Sequence, residues 1–205
     1  TSNIYMEWPQ QGVYFFFESG EMRDNGKQMR AVRVGVSKYS ESPQSPLWDR
    51  LREHRGTISG KFSGGGNHRI SNFRYHVGGA LINRDNLVCP TWEKLDITNT
   101  SIRKKEHALE KKVSDIISNM PFLWISTDRS LRPDQLNQFI KRNAVALLSN
   151  YNAEITLDRP SPAWLGHYSP NESISLSGLW NYRNVDVVFN PKFLDYLEKL
   201  VRLVK

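Results

Sequence analysis

Two side chains with reactive or anion-binding groups lie four residues apart in the segment Leu47–Arg55, which we expect to form a short helix. At that spacing Arg50 and His54 extend from the same helix face. A guanidinium group held on a rigid helix can bind a phosphodiester through two parallel donors and offset the charge that develops on it. The structural alternative is a solvated arginine and a hydrogen-bonded core histidine. The pair therefore indicates either phosphoryl chemistry or an ordinary packed helix.

A second candidate pair lies on two predicted strands. The run Gly12–Phe17 is aromatic and β-branched, and Met29–Ser37 follows it after a polar segment with a turn signal, so together they predict an antiparallel hairpin. Tyr14 and Arg33 fall on these strands. A phenol is a poor base at neutral pH unless nearby cations stabilise its ionised form, and Arg33 is placed to do so. The alternative is that Tyr14 is a core aromatic residue whose hydroxyl meets water.

Composition restricts the class of protein. Lys and Arg number 28 against 21 Asp and Glu, and the resulting net charge of +7 favours polyanionic partners because phosphate neutralisation releases counterions. The single cysteine, Cys89, excludes an intramolecular disulfide and a zinc site built on paired cysteines. The longest apolar runs are far shorter than the roughly 20 residues that cross a bilayer, and no signal segment is found, so we expect a soluble, cytoplasmic protein without a membrane partner.

The predicted strands and helices together indicate a mixed α/β (α+β) fold class. Phe122–Thr127 predicts a third strand, and the sum is a small, mainly antiparallel three-stranded sheet flanked by helices. In the second strand Val32, Val34 and Val36 alternate onto one face. The segment Asp158–Ser173, rich in Pro, Ser and Asn, predicts an ordered surface loop. Apolar residues at helical spacing predict helices at Lys104–Asn119, Pro133–Ser149 and Phe193–Val204, and we expect a further helix at Phe73–Ile82.

Three short motifs, placed on a hairpin followed by a helix, resemble the GIY-YIG endonuclease superfamily. They are Gly12-Val13-Tyr14, Arg33-Val34-Gly35-Val36-Ser37 and Leu47-x-x-Arg50-Leu51-x-x-His54. In the first motif valine replaces isoleucine, and in the second Arg33 stands where the family usually has tyrosine. The resemblance covers about residues 12–152. It implies one nuclease domain over residues 1–205, with a core at about 12–55 and 120–152, an insertion at about 56–119 and a C-terminal extension at about 153–205.

The resemblance implies a divalent-metal-dependent endonuclease, with Mg²⁺ or Mn²⁺ as cofactor and double-stranded DNA as substrate, in a bacterial restriction or phage-defence system. Tyr14, and His54 with it, would accept the proton of the attacking water, while Arg33 and Arg50 stabilise the pentavalent phosphate. Because many restriction nucleases pair two copies to cut both strands, a homodimer is one expected arrangement.

One position departs from the family. Counting from the aliphatic Val145 and from Asn152 places Lys141 where the family carries the glutamate that binds its metal ion. An ammonium group cannot coordinate Mg²⁺ and would repel it. Three explanations stay open: an introduced substitution that silences a toxic nuclease, a naturally inactive relative, or replacement ligands in Glu106 and Glu110, which otherwise form an ordinary solvated pair. An inactive relative would be a DNA-binding module, and an accidental motif match would leave only a basic interaction protein.

A basic, glycine-rich segment supplies the candidate DNA contacts. Gly64-Gly65-Gly66 would let the backbone approach a ligand closely, and the cations and aromatics after it could contact phosphates or bases. The alternative is a flexible basic loop. The predicted DNA-binding residues are His68, Arg69, Arg74, His76 and Asn152.

Overall fold

The chain folds around the three-stranded antiparallel sheet that the sequence predicted, and the strand order is β2-β1-β3. The computed structural model describes residues 7–37, 46–96 and 99–203. Val204, the predicted end of the last helix, lies outside them. The strands are β1 (Gly12–Met22), β2 (Met29–Val36) and β3 (Phe122–Ser126). The helices are α1 (Pro46–Arg55), α2 (Asn72–Asp85), α3 (Thr100–Ser118), α4 (Pro133–Leu148), α5 (Glu172–Ser177) and α6 (Lys192–Arg202), with short 3₁₀ turns at His68–Ile70 and Leu165–Tyr168.

β1 is the central strand and is apolar on both faces. Tyr14 and Phe16 lie in the core on one face, and Val13 and Phe15 pack into the core on the other. A strand of this kind is stable only between two layers of structure. The helices supply these layers: α1, α2 and α3 cover the Tyr14 face, while α4 and α6 cover the Val13 face. In the described ranges no helix has the length and apolar content needed to span a membrane.

The alternation predicted for β2 is interrupted beside Arg33. Val34 and Val36 pack in the layer under α4, as predicted, but Val32 packs in the opposite layer. The cause is a register shift in the β1–β2 pairing next to Phe16, which leaves Val32 as an extra residue. An extra residue of this kind bends a strand and redirects its neighbours. Arg33 therefore stands directly beside a bulge.

The segment after α4 folds back into the core, so the surface loop predicted for Asp158–Ser173 is wrong in part. Trp164 and Leu165 are buried in the same layer as Tyr14, and α5 begins within the predicted loop. The flanking Pro, Ser and Asn residues obscured these anchors. A single tryptophan can bury about 150–250 Å² of surface, enough to hold a polar segment against the core.

The outer edge of β2 is covered by residues that follow α5. The backbone N–H of Trp180 donates to the Val32 carbonyl at 2.7 Å. The Asn181 side chain accepts from the Val34 N–H at 2.9 Å and donates to the Val34 carbonyl at 2.9 Å. One side-chain amide thus takes the place of a fourth strand and satisfies an edge that would otherwise expose unpaired backbone groups.

We expect Asn181→Ala to destabilise the fold by about 2–4 kcal/mol, because it leaves two buried backbone groups of Val34 without partners. Asn152→Ala is the matched control, since Asn152 is exposed and its hydrogen bond to Asp186 is 3.4 Å long. The control should change stability by less than about 0.5 kcal/mol. Urea unfolding followed by circular dichroism measures both variants. Equal effects would show that the Asn181 amide does not protect this edge.

Candidate active site

The Tyr14 side chain lies over a glycine on the neighbouring strand. In the β1–β2 pairing Tyr14 stands opposite Gly35, and Tyr14 is almost completely buried. A methyl group on Gly35 would overlap the Tyr14 phenol ring. The glycine of the second motif is therefore required by packing, because only a residue without Cβ leaves room for the ring.

The Tyr14 hydroxyl is hydrogen-bonded to His54. Its oxygen lies 2.7 Å from Nε2 of His54, and the other ring nitrogen, Nδ1, lies 2.7 Å from Oγ of Ser71. Ser71 is the N-cap of α2, and its Oγ accepts from the N–H of Arg74 at 3.3 Å. When Nδ1 carries the ring proton it donates to Ser71, and Nε2 then accepts the phenol proton. The three side chains form a path along which a proton can move from Tyr14 to His54.

Two residues that hold His54 were not recognised from the sequence as its partners. A serine directly before an apolar helix is an N-cap signal, but nothing local shows that the Ser71 hydroxyl meets a histidine 17 residues earlier. Arg74, predicted to contact DNA, instead donates from Nη1 to the His54 carbonyl at 2.9 Å. Both the ring and the backbone of His54 are therefore positioned by α2.

Two guanidinium groups meet at the Tyr14 hydroxyl. Arg33 stands on β2 and Arg50 on α1, and both interact with the Tyr14 oxygen. Arg33 donates from Nη1 to the Trp180 carbonyl at 2.8 Å and lies 4.5 Å over the Phe73 ring. No described residue accepts from its Nε. Burial lowers the pKa of Arg33 to about 10; the Tyr14 oxygen opposes this shift, and the charge of Arg50 adds to it.

Arg50 forms part of the solvent-facing side of this site. Its Nη1 donates to the carboxylate of Glu53 and, at 3.0 Å, to the Ile70 carbonyl. The Arg50 side chain is 14% exposed, so a ligand can reach it. Burial opposes the charge of Arg50, but the Tyr14 oxygen and Glu53 raise its pKa overall. Arg50 therefore remains charged at neutral pH.

Lys141 lies in the same group of residues. It is partly buried on α4, and its pKa is lowered to about 8 by burial and by repulsion from Arg33, Arg50 and Arg183. The structure thus brings together what we call the Tyr14 cluster: Tyr14, Arg33, Arg50, His54 and Lys141. Asn152 is exposed and hydrogen-bonds a backbone carbonyl instead.

The Tyr14 cluster does not fit a divalent metal ion. Within the part of the chain that the structure describes, no three His, Cys, Asp or Glu residues converge on a possible ion. The Glu53 carboxylate already forms an ion pair with Arg50. An ammonium group has three donors and no acceptor. Lys141 therefore supplies repulsion where a hard cation needs oxygen ligands.

Glu106 and Glu110 are bound to cations inside the protein. Glu106 accepts two hydrogen bonds from Arg69, at 2.7 and 2.8 Å. Glu110 accepts from Arg74 at 2.9 Å and lies 2.9 Å from Nδ1 of His68. Both carboxylates are buried, so the expectation of a solvated pair is wrong. Buried charges need partners of this kind, and the arrangement favours a structural role for both residues over metal binding.

Most of the predicted DNA contacts are interior side chains. His68 and Arg74 are buried, and the buried His76 packs its ring 4.9 Å from that of Tyr182. Burial, and then the charge of Arg33, lowers the pKa of His76 to about 4, so this imidazole is neutral at pH 7. These side chains do not face solvent in this arrangement, and DNA contact by them stays a prediction.

A basic groove beside Arg50 was missed by the sequence analysis. The groove has a volume of about 580 Å³ and is lined by Arg52 and Arg55 of α1 and by Arg103 of α3. Asp49 and Glu53 line it as well, and Glu53 is the residue that accepts from Arg50. The available signal was the pair of arginines three residues apart on the helix that carries Arg50. A charged groove at this place suits a polyanion.

Gly35→Ala should destabilise the protein by about 1–3 kcal/mol, because an added methyl group overpacks a filled site. In a Tyr14→Ala background the same substitution should cost much less, since the ring it would strike is absent. Urea unfolding of the four proteins gives a double-mutant cycle that isolates the contact. Additive effects would show that Gly35 is required for a reason other than the Tyr14 ring.

Comparison with curated proteins and with solved structures finds no match for this chain. The family model of the GIY-YIG domain matches residues 1–205. This is a nuclease family, and its nucleases generally depend on a divalent metal ion. The match covers the whole sequence, and the residues of the three motifs meet in one cluster on a three-stranded antiparallel sheet. The chain therefore belongs to the GIY-YIG family of nuclease domains.

Proposed function

We propose that this protein binds double-stranded DNA and that the Tyr14 cluster is the phosphodiester-cleaving site of an endonuclease. The observation that supports this most is the 2.7 Å contact between the Tyr14 hydroxyl and His54, next to two guanidinium groups. The contact joins a proton acceptor and anion-binding donors in one place. Phosphodiester hydrolysis needs both, because the attacking water loses a proton while negative charge develops on the phosphate.

In this mechanism Arg33 and Arg50 hold the non-bridging oxygens of the scissile phosphate. As the water oxygen forms its bond to phosphorus, Tyr14 takes the water proton and passes its own hydroxyl proton to Nε2 of His54. The phosphorus–oxygen bond opposite the water breaks, and the leaving oxygen takes a proton from solvent. His54 then returns its proton to the Tyr14 oxygen, and Tyr14 releases the proton that it took from the water. Ser71 accepts from Nδ1 throughout and so keeps the imidazole in the tautomer that can accept from Tyr14.

The basic groove provides a further surface for the duplex on α1, the helix that carries Arg50. Its arginines would neutralise phosphates of the duplex other than the cleaved one, and contacts of this kind set the position of a duplex without reading its sequence. The net charge of +7 adds long-range attraction. Double-stranded DNA is therefore the substrate that this surface suits.

Lys141 favours a second candidate function, which is DNA binding without cleavage. Its ammonium group strengthens the attraction for DNA but excludes the ion on which nucleases of this family generally depend. The two candidates differ in what a carboxylate at this position would do. The endonuclease candidate predicts cleavage dependent on Mg²⁺ or Mn²⁺ once the carboxylate is present, and the binding-module candidate predicts none.

A role in restriction or phage defence, a cytoplasmic location and the pairing of two copies on DNA rest on the family resemblance alone. They stay predictions.

Lys141→Glu is expected to gain Mg²⁺-dependent nicking of supercoiled plasmid, at least about 10²-fold faster than the unchanged chain, because a carboxylate replaces a repulsive ammonium. Adding Tyr14→Phe should remove about 10²-fold or more of that rate, the usual contribution of a proton-transfer group. Lys27→Glu, in the exposed turn between β1 and β2, is the control and should not cut faster than the unchanged chain. Intact plasmid with Lys141→Glu in both Mg²⁺ and Mn²⁺ would leave only the binding-module candidate.

Arg52→Ala and Arg55→Ala should each weaken duplex binding for every DNA sequence and lower the salt slope of binding by about 1. Fluorescence anisotropy of a labelled duplex between about 50 and 200 mM salt measures the slope. The matched control is Arg202→Ala, because Arg202 is an exposed arginine on α6 that pairs with Glu198. A salt slope unchanged in both groove variants would mean that the duplex does not follow this groove.

A further inference from the structure

A second pocket, with a volume of about 370 Å³, lies beside α2 and shares no lining residue with the basic groove. The buried side chains of His76 and Trp92 line it, and so do the exposed residues Asn83 and Glu93. Most of its other walls are apolar, and none of the described residues that line it is a lysine or an arginine. Pockets of this size and composition are typical of sites for small, largely apolar ligands.

His76 brings an unused polar group to this pocket. Only 6% of the residue is exposed, and its Nδ1 is enclosed without a partner among the described residues. Its Nε2 forms no hydrogen bond with a described residue either, so this nitrogen is free to meet a ligand in the pocket. A neutral imidazole nitrogen donates or accepts according to its tautomer. A buried polar group without a partner costs about 1–3 kcal/mol, which a ligand would recover in part.

The lining favours a flat, neutral ligand that carries an N–H group. Tyr75 and Trp92 contribute aromatic rings, which suit a flat π system. The Glu93 carboxylate is a hydrogen-bond acceptor, and without a cation beside it in the lining it disfavours an anion. A nucleobase combines these properties, because it is a flat ring whose edge carries both donors and acceptors.

The pocket lies close to the Tyr14 cluster, on the same side of the sheet. Arg33 lies 4.5 Å over the ring of Phe73, and His76 follows Phe73 by three residues on α2. Three residues are about 4.5 Å along a helix, which is little more than one step along a DNA strand. The His76 ring is held 4.9 Å from that of Tyr182, in the segment that covers the edge of β2. A base next to a phosphate bound by Arg33 is therefore within reach of the pocket.

We propose that this pocket receives a nucleobase that leaves the stack of the bound duplex, with His76 and Glu93 as its hydrogen-bond partners. The inference rests on the proposed DNA-binding function and adds a contact with a base to the contacts with phosphates. It requires no bond cleavage, so it holds whether or not the chain cuts DNA. Extruding a base costs a few kcal/mol, and the cost is least for a mismatched base.

The test compares the Kd of the full chain for a short matched duplex and for the same duplex with one central A·A mismatch, measured by fluorescence anisotropy in EDTA. The unchanged chain should bind the mismatched duplex at least about fivefold more tightly, because the pairing that extrusion breaks is already absent. His76→Phe and Gly79→Leu should each bring this preference below about twofold, the first by removing a hydrogen-bond partner and the second by filling the pocket.

His167→Phe is the matched control for the histidine variant. His167 is exposed in the 3₁₀ turn Leu165–Tyr168 and does not line the pocket, so this variant should keep the preference for the mismatch. Adenosine in excess should lower the preference of the unchanged chain, because the free nucleoside occupies the pocket. Thermal unfolding confirms that each variant folds, and His76→Phe decides alone where Gly79→Leu does not fold.

Equal affinity of the unchanged chain for matched and mismatched duplexes would overturn this inference and leave the proposed DNA binding intact. A mismatch preference that His76→Phe retains in full would overturn it as well. A rise in Tm with adenosine, without any mismatch preference, would assign the pocket to a free nucleoside and contradict the extruded base. Absence of binding to either duplex contradicts the proposed function and this inference together.

Discussion

The hydrogen bond between the Tyr14 hydroxyl and His54 is the contact on which the candidate site depends. It lies in a filled layer between the sheet and α1–α3, where a polar group that loses its partner costs about 1–3 kcal/mol. Gly35 leaves the space for the phenol ring, and Ser71 binds the far nitrogen of the imidazole. Arg74 holds the His54 backbone carbonyl. The Tyr14–His54 pair is thus built into the core, and its geometry follows from packing.

Glu110 of α3 helps to hold His54 in this position. Glu110 binds Arg74, and Arg74 donates to the His54 carbonyl at 2.9 Å. One buried ion pair therefore links α3, α2 and α1, the helix that carries both His54 and Arg50. Removing one member of such a pair costs about 3–5 kcal/mol, because the other charge is left buried and uncompensated. Glu110, a candidate metal ligand in the sequence analysis, thus helps to position His54 through Arg74.

Residues after α5 complete the site from the outer edge of the sheet. The Trp180 carbonyl accepts from Arg33, and the Asn181 amide pairs with the backbone of Val34. Arg183 follows directly and adds its charge to the group around Lys141. The contacts that protect the edge of β2 also orient the buried guanidinium. Stability of the edge and geometry of the site are therefore coupled, since one short segment supplies both.

The sequence by itself determined the local elements. Strand patterns and a turn signal predicted the hairpin, and the spacing of four residues predicted that Arg50 and His54 share a face of α1, because these features depend on residues a few positions apart. The tertiary structure alone decided which distant side chains meet, such as Ser71 with His54, or Arg69 with Glu106 at a separation of 37 residues. A charged side chain can be solvated, reactive or buried in an ion pair, and its neighbours along the chain do not distinguish these. The partner that the fold places beside a charged side chain decides among these three states, because a charged group is buried only when a compensating group is in place.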